Sequence, residues 1–154
     1  MKNSIRLLKI FFMVSLVAGC AVPMVAMQDV EETHVINKPL TKEQVKDSIL
    51  EGAKFANWRV RELNSNTLLA TFNIRTHTVN VQIDYSESGY SLNYKSSNEM
   101  KMYCTRDEYV KKKGVIVSGK QDCPGGKPPY AIHGAYKTWV DDLNHDIQTS
   151  LASK

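Results

Sequence analysis

Apolar and polar residues alternate in four successive runs between residues 58 and 95, and short polar turns separate the runs. Successive side chains of a β-strand point to opposite faces, so each run collects its apolar residues on one face. Short connections make neighbouring strands antiparallel. The pattern therefore predicts a four-stranded antiparallel meander with one buried and one solvated face. The residues expected on the buried face are Trp58, Val60, Leu68, Ala70, Phe72, Ile74, Val79, Val81, Ile83, Tyr85, Tyr90, Leu92 and Tyr94.

An amphipathic helix is predicted on each side of the meander. Thr41 and Gln44 have the spacing of a capping box, and Val45 and Ile49 recur at helical spacing, which predicts a helix over roughly residues 42–55. Such apolar stripes cover the apolar face of a sheet. The predicted fold class is α+β, a two-layer sandwich of a four-stranded antiparallel meander with an N-terminal and a C-terminal helix on one face. The stripe of the C-terminal helix consists of Ile132, Tyr136, Trp139, Val140, Leu143, Ile147 and Leu151.

Trp139 lies in the middle of the C-terminal stripe, so we expect its indole to be buried against the sheet. The alternative is an exposed indole that anchors a binding partner, since tryptophan is enriched at binding hot spots. Truncation would lower the stability in the first case and the affinity in the second. The partners expected for a buried indole are Phe72, Val81, Ile83 and Leu92.

The first 19 residues have the organisation of a bacterial export signal, with three basic residues ahead of an apolar stretch over residues 10–18. The sequence Leu16-Val17-Ala18-Gly19-Cys20 that follows resembles a lipobox, the cleavage site of the lipoprotein signal peptidase. The resemblance implies cleavage after residue 19 and a lipid thioether on Cys20. The alternative is an ordinary signal peptide with an Ala-x-Ala-like cleavage site, in which Cys20 has no special role.

Cleavage would remove most of the positive charge. The chain has 20 Lys and Arg against 16 Asp and Glu, and residues 1–19 hold three of the cations and no acid, so the remaining 135 residues carry a net charge of +1. A nearly neutral domain lacks the basic excess of nucleic-acid-binding proteins, so we expect no nucleic acid partner. The expected membrane contact is the lipid on Cys20, palmitate included. Ala21 stands where an Asp favours inner-membrane retention in Gram-negative lipoproteins, which implies the outer membrane, facing the periplasm.

The remaining cysteines, Cys104 and Cys123, predict a disulfide, because an even number of cysteines in an exported protein is typical of a disulfide framework. The closed loop of 20 residues would contribute about 3 kcal/mol in the chain-entropy model. A metal or redox pair is the alternative, although the chain has no CxxC motif and no histidine near either cysteine.

The domain boundaries are predicted from the point at which apolar residues begin to recur with a regular period. Residues 20–38 show no clear period and predict a lipidated tether that spans about 20–25 Å. Residues 39–154 are expected to form one α+β domain, with a disulfide-bounded surface excursion at 104–123.

Catalytic and metal motifs are absent from the sequence. There is no HExxH, GxSxG, SxxK or Walker A motif, so we expect no metal and no cofactor. His133 is the histidine of most interest, because it stands where the last helix is predicted to start. It could cap that helix or bond the polar segment 94–98, or it could contact a partner or ligand.

Lys111, Lys112 and Lys113 form a basic run within the predicted excursion. The simplest interpretation is a solvated loop. The alternative is contact with an envelope protein or with anionic lipid headgroups, where each lysine contributes on the order of 1 kcal/mol.

Three parts of the sequence together resemble a group of small, uncharacterised proteobacterial lipoproteins. They are Trp58-x-Val60, the polar segment Tyr94-Lys95-Ser96-Ser97-Asn98, and Ile132-His133-x-x-Tyr136-x-x-Trp139-Val140-x-x-Leu143-x-x-x-Ile147. The resemblance covers roughly residues 41–100 and 131–151. It supplies no established activity, and the segment between the two cysteines stands outside it.

These features predict a membrane-anchored envelope lipoprotein that acts as a non-enzymatic binding or assembly accessory. One alternative is a small periplasmic hydrolase or ligand-binding enzyme that uses His133. Another is a lysozyme inhibitor, because Ser86-Glu87-Ser88-Gly89-Tyr90 faintly resembles the Ser/Gly/Tyr loop of periplasmic lysozyme inhibitors. Those inhibitors resemble all-β barrels, however, and Gly89 is also explained as a hairpin residue with a positive φ.

Overall fold

The computed structural model describes residues 23–29, 32–111 and 123–154. Within these ranges the chain folds into an α+β domain with two long helices and two antiparallel sheets, so the predicted class is confirmed. The strands are β1 (Met24–Ala26), β2 (Glu32–Val35), β3 (Arg59–Asn64), β4 (Thr67–Ile74), β5 (His77–Ser86), β6 (Gly89–Asn98), β7 (Met102–Tyr103) and β8 (Ala131–His133). The helices are α1 (Lys42–Phe55), α2 (Arg106–Lys111) and α3 (Ala135–Ala152), and short 3₁₀ turns occur at Met27–Asp29 and Pro124–Gly126.

The larger sheet contains the predicted meander and one further strand. Its order is β2-β6-β5-β4-β3, and β3 to β6 are antiparallel neighbours in chain order. The fifth strand, β2, pairs antiparallel with the outer edge of β6. The prediction of four strands is therefore wrong by one.

Both β1 and β2 come from the segment predicted to be a tether. In β2, four consecutive residues pair with β6, from Glu32 opposite Leu92 to Val35 opposite Gly89. The His34 ring also stacks on Tyr90, with the ring centroids 4.9 Å apart. Strands of three or four residues are too short to show an alternating pattern, and their partners are distant in sequence. The expectation of a tether is therefore corrected for residues 24–26 and 32–35.

The smaller sheet, with the order β1-β8-β7, shortens the predicted C-terminal helix. Ile132 lies in β8, where it is fully buried between Val25 of β1 and Met102 of β7 in register. The helix α3 begins only at Ala135. Ile132 precedes Tyr136 by four residues, so the helical stripe in the sequence extends by coincidence into a strand.

The predicted inward face of the sheet is confirmed over most of its length. Two of its residues near the β4–β5 turn differ, since Phe72 is only partly buried and Ile74 is 38% exposed. Val60 is also only partly buried, and the buried members are Trp58, Leu68, Ala70, Val79, Val81, Ile83, Tyr85, Tyr90, Leu92 and Tyr94. The core therefore ends before the hairpin that joins β4 to β5.

A β-bulge at Lys95 extends β6 beyond the predicted strand. Asn80 pairs with Ser96 and Val81 pairs with Tyr94, so Lys95 is the extra residue. The bulge shifts the alternation by one position, and Tyr94 and Ser97 consequently face the same side. Their hydroxyl oxygens lie 2.9 Å apart in the interior.

The helix α1 forms as predicted, with its capping box. The Gln44 N–H donates to Thr41 Oγ1 at 3.2 Å, and the Thr41 N–H donates to Gln44 Oε1 at 2.8 Å. A Cβ on Gly52 would lie 2.4 Å from the Ile147 nitrogen, so glycine permits the close crossing of α1 and α3. No helix within the described ranges is long and apolar enough to cross a membrane.

The two faces of the large sheet are covered differently. Tyr136 of α3 packs against Tyr94, with the ring centroids 5.7 Å apart, and α1 lies beside α3 over β5. The opposite face carries polar side chains joined across strands, such as the Thr71 hydroxyl, which donates to Asn80 Oδ1 at 2.7 Å. The helices therefore share one face, as predicted.

Candidate functional site

A cleft of about 370 Å³ lies where the β4–β5 hairpin, the segment after β6 and the β8–α3 junction meet. Its walls mix charged, aromatic and aliphatic side chains, and five of the nine lining residues are ionisable. The lining residues are Ile74, Arg75, His77, Glu99, Met100, Lys101, His133, Ala135 and Trp139. This set includes His133, and we call it the His77–His133 cleft.

The β4–β5 hairpin supplies one wall through an unusual turn residue. Ile74 pairs with His77, so the loop consists of two residues, and the first of them, Arg75, has a φ of 53°. Two-residue hairpins favour glycine or asparagine at such positions, because a Cβ is strained there. An arginine side chain thus stands at the cleft in a position where a smaller residue would be easier to accommodate.

The segment after β6 supplies the facing wall. Glu99 has a φ of 56°, and its carbonyl oxygen lies 2.8 Å from His77 Nδ1. A carbonyl can only accept, so His77 Nδ1 carries the proton and its Nε2 is an acceptor when the ring is neutral. The hydrogen bond ties the start of β5 to the end of β6 and orients the His77 ring.

His133 closes the cleft at the N-terminus of α3. Its Nδ1 accepts the Ala135 N–H at 3.0 Å, and its own backbone N–H donates to the Lys101 carbonyl at 2.8 Å. The N-cap residue of α3 is Gly134, and His133 accepts the N–H of the first helical residue from the position before it. Because Nδ1 is an acceptor, the proton of the neutral ring resides on Nε2. The two cleft histidines consequently hold opposite tautomers.

The electrostatics of the cleft keep His133 neutral. Its pKa is lowered by burial, and further by the positive charge of Lys101 and by His77. Each of these influences disfavours the imidazolium form. At neutral pH, His133 therefore presents an uncharged ring with an Nε2–H donor.

Trp139 forms the aromatic wall of the cleft. Its indole was expected to be buried against the sheet. Its indole is partly buried and packs on Phe72, with the ring centroids 5.2 Å apart, while His77 lies 6.4 Å away. Of its expected partners, Phe72 is thus found, but the indole lies at the margin of the core. Met100, which is only 2% exposed, lines the same cleft.

Within the described part of the chain, the charged side chains of the cleft have no polar partners. Arg75, Lys101 and Glu99 form no side-chain hydrogen bond or ion pair with the residues that the structure describes. Elsewhere, lysines pair with acids, as in Lys137 with Asp141 at 2.8 Å and Lys154 with Glu51 at 3.1 Å. The two cations of the cleft therefore remain available to a ligand.

The other site residues expected from the sequence lie apart from the cleft or outside the described residues. The Cys104 and Cys123 sulfurs are 1.99 Å apart, which agrees with the predicted disulfide. Lys111 is the last residue of α2. Cys20, Lys112 and Lys113 lie outside the described residues, as does the signal segment.

The loop that resembles lysozyme inhibitors has a structural role. The Tyr90 hydroxyl donates to Asn144 Oδ1 at 2.6 Å and accepts from Gln148 Nε2 at 2.8 Å, so it joins the sheet to α3. Gly89 does not adopt the expected positive φ. A Cβ there would meet the backbone of β2, so close strand approach explains this glycine instead.

The chemistry that the cleft can perform follows from its side chains. Among the described lining residues there is no serine, threonine or cysteine to act as a nucleophile. Across the described part of the chain, no group of three or more His, Cys, Asp and Glu side chains could hold a metal ion. The arrangement offers hydrogen bonding, positive charge and an aromatic surface.

Sequence reasoning missed most of the cleft. Neither His77 nor Arg75 is among the site residues expected from the sequence. One local signal was available, since a two-residue turn that contains arginine instead of glycine or asparagine is unusual. Glu99 and Lys101 carried no recognisable signal, because their contacts are with residues distant in sequence, such as the His133 N–H on the Lys101 carbonyl.

Comparison of the chain with protein-family models, with curated proteins and with solved structures gives no match.

Proposed function

We propose that this protein is a lipid-anchored envelope protein that binds a ligand or partner through the His77–His133 cleft. The observation that carries the proposal is the cleft itself, with an aromatic wall, oriented imidazoles and two cations that pair with none of the described residues. Binding is favoured over hydrolysis because His133 Nδ1 is committed to the Ala135 N–H and the described lining residues include no serine, threonine or cysteine.

The anchoring part of the proposal rests on the lipobox-like sequence that ends at Cys20. The bonded pair of Cys104 and Cys123 supports it, since disulfides persist in exported proteins. We assign the protein to the outer membrane, facing the periplasm, because Ala21 follows the cysteine.

The anchor is tested by labelling cells with a radioactive fatty acid. The wild-type chain should incorporate the label, whereas Cys20→Ser should lose it and accumulate as precursor. The matched control is Cys104→Ser with Cys123→Ser, which should retain the label. Labelling that persists in Cys20→Ser would refute the anchor.

The binding role is tested by site-specific photo-crosslinking in intact envelopes. A photoreactive phenylalanine derivative replaces Ile74 at the cleft, or Arg59 on β3 as the control outside it. We expect a discrete adduct from position 74 and none from position 59. Equal adducts from both positions, or none from position 74, would count against binding at the cleft.

A further inference from the structure

We propose that the His77–His133 cleft selects a small anionic amphiphile, with a carboxylate head group held by Arg75 and Lys101 and an apolar body against Trp139. The ligand class rests on the proposed function, because it names what the same cleft would bind. A carboxylate can accept hydrogen bonds from two cationic side chains and from a neutral N–H donor, so it matches this cleft.

The charged residues that line the cleft favour a negatively charged head group on the ligand. Arg75 and Lys101 bring two positive charges to the lining and Glu99 brings one negative charge, and none of the three side chains is paired within the described residues. An uncompensated positive charge at the mouth of a concave site attracts anions and disfavours cations. The guanidinium of Arg75 can also form two parallel bonds to a carboxylate.

Backbone strain marks the same place. Positive φ values occur at three non-glycine residues of the described chain, Asn57, Arg75 and Glu99, and two of these line the cleft. Strained residues persist where the surrounding structure holds them and are concentrated at binding sites. The strain at Arg75 places a guanidinium at the cleft, and the strain at Glu99 places its carbonyl against His77.

The histidines add a directional donor. His133 is oriented through Nδ1 by the Ala135 N–H, so its Nε2–H is available to an acceptor on the ligand. His77 is oriented through Nδ1 by the Glu99 carbonyl and offers Nε2 as an acceptor. A carboxylate satisfies the first group, and a water or a ligand hydroxyl satisfies the second.

Volume and apolar surface set the size and character of the body. A cleft of about 370 Å³ lies at the lower end of the range for small-molecule sites, so it suits one ring or a short chain. Trp139 and Met100 provide a flat aromatic face and a polarisable floor. These surfaces favour an aromatic or aliphatic group beside the anion.

The test uses three probes that share one ring and differ in head group: phenylacetate, phenylacetamide and 2-phenylethylamine. The full lipidated chain in phosphatidylcholine nanodiscs is titrated while tryptophan fluorescence is followed, with empty nanodiscs as the blank. Phenylacetate should bind saturably and at least about tenfold more tightly than the other two, because hydrogen bonds to charged groups dominate the difference.

Charge-removing variants locate the binding. Arg75→Gln combined with Lys101→Gln should weaken phenylacetate at least about tenfold. Arg59→Gln combined with Arg61→Gln also removes two positive charges, outside the cleft on the other side of the sheet, and should leave the affinity unchanged. Melting temperatures of all variants show whether each remains folded. Phenylacetate binding that survives the double substitution would overturn the proposal.

The remaining outcomes distinguish a failure of the proposed ligand class from a failure of the proposed binding function. Equal binding of phenylacetate and phenylacetamide, or tighter binding of 2-phenylethylamine, would overturn the anion preference and leave a binding cleft. Absence of saturable binding by any probe would overturn the ligand class. The crosslinking from position 74 does not depend on the probes, so it judges the proposed function independently.

Discussion

The backbone of His34 passes so close to Gly89 that a Cβ on Gly89 would lie 2.3 Å from the His34 carbonyl oxygen. This close approach allows β2 to pair with the first four residues of β6, and the His34 ring stacks on Tyr90. A glycine at the edge of the meander thus permits a strand from the N-terminal segment to extend the sheet.

Gly89→Ala should displace β2 and lower the free energy of unfolding by about 1–3 kcal/mol, because the methyl group cannot be accommodated against main-chain atoms. Hydrogen exchange at residues 33–36 and the melting temperature measure the effect. Glu87→Ala, in the neighbouring exposed turn, is the control and should change stability by less than about 0.5 kcal/mol. Unaltered protection of β2 in Gly89→Ala would contradict the expectation.

Trp58→Ala should destabilise the protein more than Trp139→Ala. Trp58 is 4% exposed and stacks on Phe72, whereas Trp139 is partly buried at the cleft. Removal of a buried indole costs about 3–5 kcal/mol, and a partly buried one loses less contact, about 2 kcal/mol. Chemical denaturation of the two variants compares them directly. An equal or larger loss for Trp139→Ala would place its indole in the core after all.

Stability should fall in acid partly because of His133. Its pKa in the folded protein is lowered by burial, by Lys101 and by His77, while the unfolded chain has the ordinary value. The unfolded state therefore binds the proton first, and the contribution is present above the unfolded pKa and lost as the pH falls from there toward the folded pKa.

The variant His133→Asn removes this titration and keeps an acceptor for the Ala135 N–H. The decrease in melting temperature between about pH 7.5 and pH 5, which brackets the ordinary histidine pKa, should be smaller in the variant than in the wild type. His145→Asn, on the exposed side of α3, is the control and should behave as the wild type does. An identical decrease in His133→Asn and the wild type would argue against a lowered pKa.

Replacement of both Cys104 and Cys123 by serine should loosen the smaller sheet and retain the larger one. Cys104 directly follows β7, and the disulfide stabilises the protein by about 2–4 kcal/mol in total. Far-ultraviolet circular dichroism should remain native, while exchange at Met102 and Ile132 should accelerate. Loss of the native spectrum at room temperature would show that the larger sheet also depends on the bond.

A site residue could be predicted from the sequence when its contacts are with neighbouring residues, and not when they are with distant elements. His133 was identified as a helix-capping candidate because a cap involves only neighbouring residues, and the bond to Ala135 spans two positions. Arg75, Lys101 and Trp139 belong to separate elements. They converge where the β4–β5 turn, the segment after β6 and the β8–α3 junction meet, and contacts between such distant segments leave no pattern in the residues around them.

The sequence by itself determined the elements whose burial is periodic: α1 with its capping box, the strands β4 to β6 and the stripe of α3. One face of each element is buried along its length, so apolar residues recur in the sequence with a period of two in strands and about 3.6 in helices. Tertiary structure alone decided the positions of β1, β2 and β8. These strands are three or four residues long and are held by distant partners, such as Gly89 for Val35. The cleft belongs with them, because it forms where turns and strand ends meet, and such contacts have no period to detect.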